Sequence, residues 1–207
     1  MKRRPFLAFA VAMLALPACG PTSAADLLPA VAARLDNAPV IQGRFEQTRR
    51  LAGFTNPLVS RGDFVLLRAR GLSWVTREPV ASSLLITPDR LVVRDGDGRI
   101  QQQIRADAQP GLRAVSEAML AVLRGDFSAL TQRFQLDGKL VGKQGWSLTL
   151  TPTDPAMRHM FTRIELAGDR FVREVRLDEA GGDSTLLRML ATTASAAPSA
   201  DQERRFD

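Results

Sequence analysis

The chain has 207 residues, of which 45% are apolar, and carries a formal charge of +6, so it is long enough for one domain with a sizeable core. Its single cysteine and single histidine, Cys19 and His159, exclude an intrachain disulfide and any zinc site built from several cysteine or histidine ligands. The basic residues are scattered rather than gathered into one tract, so we expect no nucleic-acid partner.

The first 25 residues have the pattern of an export signal. Lys2–Arg4 is cationic, and Phe6–Leu16 is an apolar run of eleven residues, too short to span a bilayer. Small residues then lead to a cleavage site near Ala25. This predicts a signal peptide at 1–25, a single domain at 26–207, and a periplasmic location. The segment carries three cations and no acid, so its removal lowers the formal charge to +3.

Cys19 supports a second interpretation of the same segment. Leu16-Pro17-Ala18-Cys19 resembles the end of a bacterial lipoprotein signal, with an aliphatic residue three positions before the cysteine. Lipidation at Cys19 would anchor the protein in the outer membrane, facing the periplasm. Both processing routes stay open at this point.

The first half of the domain predicts one helix followed by short strands. The helix covers Asp26–Leu35 with Asp26 as its cap, and the strand period begins near Val40. Phe64–Leu67 is a run of four apolar residues, which predicts a strand buried on both faces. Further strands are predicted at 72–76, 83–87 and 91–94, and Asp95–Gly98 is a hairpin turn.

The second half predicts another helix and a second run of strands. Leu112–Arg124 has helical apolar spacing and is followed by Gly125 as a cap. Strands separated by turns at 137–139, 167–169 and 181–183 follow. The predicted class is α+β, mainly antiparallel β: a strongly curved sheet or incomplete, open β-barrel, with a helical lid over an apolar cavity.

The sequence contains no recognisable catalytic or cofactor motif. Gly96 and Gly98 lie in a hairpin rather than before a helix, and Asp95 and Asp97 lack the glutamate of a calcium loop. We therefore predict a binding protein rather than an enzyme, with no cofactor, metal or catalytic residue. A periplasmic hydrolase with carboxylates brought together from distant segments is the remaining enzymatic alternative.

Apolar residues from many strands and from the second helix are the candidates for the cavity wall. They either fill a core or enclose a lipophilic ligand. The predicted lining residues are Phe45, Phe64, Leu66, Leu72, Trp74, Leu84, Ile86, Val115, Met119, Val122, Leu123, Trp146, Leu148 and Phe161.

Several short motifs occur in an order that resembles a known family. They are Phe45–Gln47, Ser60–Phe64, the spacing from Arg68 to Trp74, Trp74–Pro79 and Gly182–Thr185. Together they resemble the periplasmic outer-membrane lipoprotein carriers, the LolA family. The resemblance implies an incomplete barrel with a helical lid, whose cavity receives lipoprotein acyl chains.

The resemblance also implies roles for individual residues. Arg68, six residues before Trp74, corresponds to an arginine that hydrogen-bonds to the lid and keeps the empty cavity shut. Leu72 falls in the region linked to cargo reception. The family often has proline where this chain has Ala69, and Arg70 is an alternative latch.

The function implied is that of a monomeric carrier, which shuttles acyl chains of lipoproteins from the inner to the outer membrane. Its partners would be a lipid-modified protein or acyl lipid, an inner-membrane release complex and an outer-membrane acceptor. Leu91–Val93 replaces an aromatic-rich strand of the family, which leaves open a divergent paralogue with another amphiphilic cargo. The other alternative is an outer-membrane lipoprotein receptor or assembly factor lipidated at Cys19.

Overall fold

The computed structural model describes residues 24–105, 120–124 and 126–207. These residues form an eleven-stranded sheet. The strands are β1 (Val40–Arg50), β2 (Leu58–Leu67), β3 (Gly71–Glu78), β4 (Ser82–Ile86), β5 (Arg90–Asp95), β6 (Ile100–Arg105), β7 (Phe134–Val141), β8 (Gly145–Pro152), β9 (Phe161–Gly168), β10 (Val172–Glu179) and β11 (Ser184–Ser195).

The helices are short and lie before, between and after the strands. They are α1 (Ala24–Arg34), α2 (described at 120–124), α3 (Pro155–Met160) and α4 (Ala200–Arg204), with a 3-10 helix at Phe127–Leu130. α4 begins with a capping box in which the Ser199 hydroxyl accepts from the Gln202 amide and the Gln202 side chain accepts from the Ser199 amide.

The sheet consists of two antiparallel meanders joined at its centre. Its order is β6-β5-β4-β3-β2-β1-β11-β10-β9-β8-β7, so β1 pairs with β11 and the two meanders end at opposite edges. Within the described residues the edge strands β6 and β7 do not pair, and the sheet is therefore not closed into a barrel. The predicted class, an open and mainly antiparallel sheet with few helices, is confirmed.

Strand β2 is buried on both faces, as its apolar run predicts. Phe64 and Leu66 pack with Trp74 on the inner face, which also carries α1 and α2. Val65 and Leu67 pack on the opposite face against Phe206, next to α4. The C-terminal helix thus covers the outer side of β2.

Helix α2 contacts both halves of the inner face. Leu120 and Leu123 pack with the N-terminal half, whereas Ala121 and Val122 pack with the C-terminal half. Helix α1 buries Leu27, among others, against the C-terminal half only. A movement of α2 would therefore alter the packing of both halves of the sheet.

The turn predicted at 137–139 is wrong, because β7 runs without interruption through Gly138. Gly138 pairs with Leu148, and a Cβ there would meet the Ser147 carbonyl oxygen at 2.3 Å. The glycine allows close approach of two strands rather than a reversal of the chain. The chain instead reverses after Val141.

Other boundaries differ or lie outside the described residues. α1 begins at Ala24, two residues before the predicted cap, so Asp26 is inside the helix. α3 was not predicted. Of the predicted second helix, only 120–124 is described; its residues Leu112, Val115 and Met119, the cap Gly125 and the signal segment with Cys19 lie outside.

Candidate functional site

An apolar cavity of about 150 Å³ lies on the inner face of the C-terminal half. The side chains around it come from α2, the 3-10 helix, β7 to β11 and α3, and all of them are apolar. They are Val122, Leu123, Leu130, Phe134, Leu150, Met157, Phe161, Ile164, Leu166, Val175, Leu177, Leu187 and Met189. This wall offers an occupant apolar contacts and no hydrogen-bonding side chain.

The volume sets what this conformation can hold. A cavity of about 150 Å³ lined by aliphatic and aromatic side chains stays dry and takes up benzene. The cavity here has the same volume, room for about six carbon atoms. The volume therefore matches the end of one acyl chain.

The inner face of the N-terminal half is filled by aromatic side chains. The ring of Phe45 stacks on Trp74 with centroids 3.9 Å apart, and Phe64 lies 6.0 Å from Trp74. All three side chains are buried. Gly62 pairs with Phe45 across the β1–β2 ladder and leaves space for its ring.

The predicted lining residues separate into groups. Val122, Leu123 and Phe161 line the cavity. Those from the first meander pack in the filled N-terminal cluster instead: Phe45, Phe64, Leu66, Leu72, Trp74, Leu84 and Ile86. Trp146 and Leu148 pack in the C-terminal cluster without lining the cavity, and Val115 and Met119 lie outside the described residues.

Most of the cavity wall was not in the predicted set, although its signal is present in the sequence. Apolar residues alternate along the last three strands, at 164 and 166, at 175 and 177, and at 187 and 189. This period of two marks one buried face of each strand. It does not distinguish a face that lines a cavity from a face packed solid.

Arg68, just after β2, donates three hydrogen bonds to backbone carbonyls. Its Nε bonds to the oxygen of Ala38 at 2.9 Å, one terminal nitrogen to that of Arg124 at 2.7 Å, and the other to that of Asp36 at 2.6 Å. Asp36 and Ala38 belong to the α1–β1 loop, and Arg124 is the last described residue of α2. One side chain thus ties the end of β2 to α2 and to the loop between α1 and β1.

Arg70 faces the other end of the chain. It donates to the Glu203 carbonyl oxygen at 3.2 Å and to the Asp207 carboxylate at 2.8 Å. Its guanidinium also lies 5.6 Å from the centre of the Phe206 ring. Arg70 therefore contacts α4 and the C-terminal residues, on the outer side of the sheet.

A small pocket of about 20 Å³ lies beside the apolar cavity. We call it the arginine-lined pocket; its polar lining is Arg68, Arg124, Arg170, Asp36 and Thr192. Leu123 and Met189 line this pocket and the apolar cavity alike. The two spaces are therefore neighbours, and the smaller one combines polar with apolar lining residues.

The charged groups of the pocket influence one another. The hydrogen bond from Arg170, the backbone hydrogen bond from Ala38 and the positive charges of Arg170 and Arg68 hold the pKa of Asp36 below its ordinary value. Burial lowers the pKa of Arg68; the charge of Asp36 opposes this shift and that of Arg124 adds to it. Burial thus disfavours the charged form of Arg68, and the carboxylate of Asp36 favours it.

Among the described residues, no group of three or more His, Cys, Asp or Glu side chains is placed to hold a metal ion. No helix in the described part of the chain combines the length and apolarity needed to span a membrane.

An open antiparallel sheet with a cavity whose described lining is apolar is the arrangement expected of a binding protein for lipophilic groups. The chain matches a family model described as outer membrane lipoprotein carrier protein LolA-like over residues 19–206. The protein belongs to this LolA-like family, as the sequence motifs predicted. Members of the family are binding and carrier proteins of the bacterial envelope rather than enzymes.

Solved structures with a similar fold are distant. The LolA superfamily protein NE2245 from Nitrosomonas europaea is 11% identical, with 90% of this chain and 98% of that chain covered and a TM-score of 0.48. MucB in its complex with MucA from Pseudomonas aeruginosa is 20% identical, with 87% of this chain and 60% of that chain covered and a TM-score of 0.48. Both likenesses are too distant to carry a functional argument. No protein of curated function matches the chain.

Proposed function

We propose that the protein is a periplasmic carrier, which holds acyl chains of a lipid-modified protein or a related amphiphile in its apolar cavity between the inner and outer membranes. The observation that carries the proposal is the cavity itself, whose described lining is apolar and includes α2, a helix to which Arg68 donates a hydrogen bond. Membership of the LolA-like family supports the same function.

The energetics favour a carrier that both binds and releases. Each buried methylene contributes about 0.8 kcal/mol, so about six carbons in the cavity contribute about 5 kcal/mol. The hydrogen bond from Arg68 to the Arg124 carbonyl stabilises the closed position of α2 by about 1 kcal/mol, and it competes with cargo that displaces α2. This opposing term lowers the net affinity for cargo, which favours transfer to an acceptor.

Arg68 is the better candidate for the latch because of what it contacts. Its hydrogen bonds reach α2 and the loop after α1, whereas those of Arg70 reach the C-terminal residues. A latch between lid and sheet has to bind the lid. We therefore propose Arg68, and not Arg70, as the residue that holds the empty cavity shut.

Uptake of acyl groups is the direct test. Delipidated protein should bind a fluorescent fatty acyl probe with 1:1 stoichiometry, and native mass spectrometry of protein purified from the periplasm should show acylated cargo. A folded protein that takes up no acyl probe and carries no lipid from the periplasm would contradict the proposal.

The signal segment supports a second candidate function, that of another lipid-binding protein of the envelope. The Leu16–Cys19 sequence fits lipidation at Cys19, which would make the protein an outer-membrane receptor rather than a shuttle. The cavity would serve both in the same way. Metabolic labelling with a palmitate analogue distinguishes them, since only the receptor incorporates label at Cys19.

A further inference from the structure

The arginine-lined pocket contains hydrogen-bond donors without partners. Nε of Arg124 and Oγ1 of Thr192 are buried, and neither has a hydrogen-bond partner in the described part of the protein. The guanidinium nitrogens only donate, and a threonine hydroxyl can donate as well. Buried polar groups nearly always have a hydrogen-bond partner. Within the described part of the protein, these two groups lack an acceptor atom.

The charge of the pocket also favours an acceptor that is anionic. Three arginines line it, and Asp36 is the single carboxylate among the described lining residues. The oxygens of Asp36 already accept from the Ala38 amide and from Arg170. Among the described lining residues, no second carboxylate faces Arg68 and Arg124.

The position of the pocket connects this polar site to the apolar cavity. Leu123 and Met189 contribute to the walls of both spaces. These two side chains stand between the spaces, so a molecule with its polar end at Arg124 reaches the cavity with its apolar chain once they turn aside. The arrangement matches an amphiphile with one charged end and one chain.

The size of the pocket bears on the kind of head group. A volume of about 20 Å³ admits one water-sized group, and therefore one oxygen atom of a head group. A carboxylate then leaves one oxygen outside this space, whereas a phosphate monoester leaves two.

We propose that the arginine-lined pocket binds the carboxylate of a single-chain amphiphile, held by Arg124 and Thr192, whose acyl chain lies in the apolar cavity. The inference rests on the proposed function for the chain, and adds the chemistry of the head group.

Calorimetric titration of the delipidated, full-length protein with ligands that share one chain tests the head group. The ligands are decanoate, methyl decanoate, decyl phosphate and decyltrimethylammonium. Decanoate should bind about tenfold more tightly than its uncharged methyl ester, and decyltrimethylammonium should bind least. The preference for decanoate should shrink as salt is added, because charges are screened.

Two variants and a matched control test whether the preference for decanoate over its methyl ester arises in the arginine-lined pocket. Arg124→Gln removes the charge but keeps the carbonyl that accepts from Arg68, and Thr192→Val replaces the hydroxyl with a methyl group. Both should reduce the preference for decanoate over its ester to about twofold or less. Arg50→Gln removes an equal charge from the exposed end of β1 and should leave the preference unchanged.

The outcomes separate this inference from the proposed function. Equal binding of acid and ester overturns the carboxylate site and leaves the carrier function standing, with solvent satisfying the buried donors. Tighter binding of decyl phosphate overturns the choice of carboxylate. Failure of every ligand to bind a protein with a native circular dichroism spectrum overturns the carrier function, and this inference with it.

Discussion

The arginines after β2 look alike in the sequence, yet they do different things. Arg68 and Arg70 are two residues apart, and the sequence left the latch open between them. In the structure Arg68 reaches the carbonyl of Arg124 on α2, and Arg70 reaches Asp207. Arg68 and Arg124 are 56 residues apart in the chain. The period of apolar residues in the sequence does not identify hydrogen-bond partners so far apart. This distinction comes from the tertiary structure alone.

Replacement of Arg68 by leucine should loosen the lid without unfolding the sheet. The substitution leaves three backbone carbonyls without their donor, a loss of about 3 kcal/mol if each bond contributes about 1 kcal/mol. Amide hydrogen exchange at 120–124 should therefore become faster. Acyl cargo should be held more tightly and transferred more slowly to an acceptor, because the closed state no longer competes.

Arg70→Leu is the matched control for the latch. It removes the same charge two positions away, and its lost contacts are with Glu203, Asp207 and Phe206. Exchange should become faster in α4 and stay unchanged at 120–124. Equal acceleration at 120–124 in the two variants would show that Arg68 is not the latch.

At the level of elements, the strands were predicted well, but the roles of the glycines within them were not. The run Phe64–Leu67 and the turn Asp95–Gly98 are local patterns, and the strand and hairpin that they predict are present. Gly138 is part of Asp137-Gly138-Lys139, a sequence typical of a turn, but in the structure it lies in a paired strand. Local sequence does not distinguish a glycine that a neighbouring strand requires from a glycine in a turn.

Gly62 is another glycine whose role depends on its neighbours. It lies in β2 opposite Phe45, and a Cβ added there would meet the Val75 carbonyl oxygen at 1.9 Å and the Phe45 ring at 2.7 Å. Gly62→Ala should therefore displace the ring from Trp74 and destabilise the protein by about 2 kcal/mol, measured by urea unfolding.

Gly181→Ala provides the comparison. Gly181 lies in the turn after β10, and a Cβ there would have no neighbour within 4 Å. The substitution should change the free energy of unfolding by less than about 0.5 kcal/mol. If Gly62→Ala were as mild as Gly181→Ala, the aromatic stack would not be closely packed against β2.

At the scale of the whole molecule, the two halves of the sheet have the same kind of inner face but different contents. Both carry alternating apolar residues, so the sequence predicted lining residues in each. The N-terminal half is filled by Phe45, Phe64 and Trp74, whereas the C-terminal half is lined mostly by aliphatic side chains and keeps a cavity. Free space depends on how side-chain volumes from distant strands add up, which one sequence does not reveal.

For the proposed carrier, this asymmetry predicts an acyl chain in the C-terminal half, and Val175→Phe tests that prediction. Val175 lines the cavity from β10, between Leu166 of β9 and Leu187 of β11. A phenyl ring there occupies space that the chain would use. Affinity for the fluorescent acyl probe should fall by about tenfold, and the preferred chain length should become shorter. The melting temperature should stay equal or rise, because the ring restores contacts that a cavity lacks.

Val141→Phe adds the same ring outside the cavity. Val141 ends β7 and is 49% exposed, so its replacement should leave both affinity and chain-length preference unchanged. Loss of probe binding in Val141→Phe as well would mean that the added ring acts through general effects on the protein. Unchanged binding in a folded Val175→Phe would place the acyl site elsewhere, in an N-terminal half that opens when Phe45 and Trp74 separate.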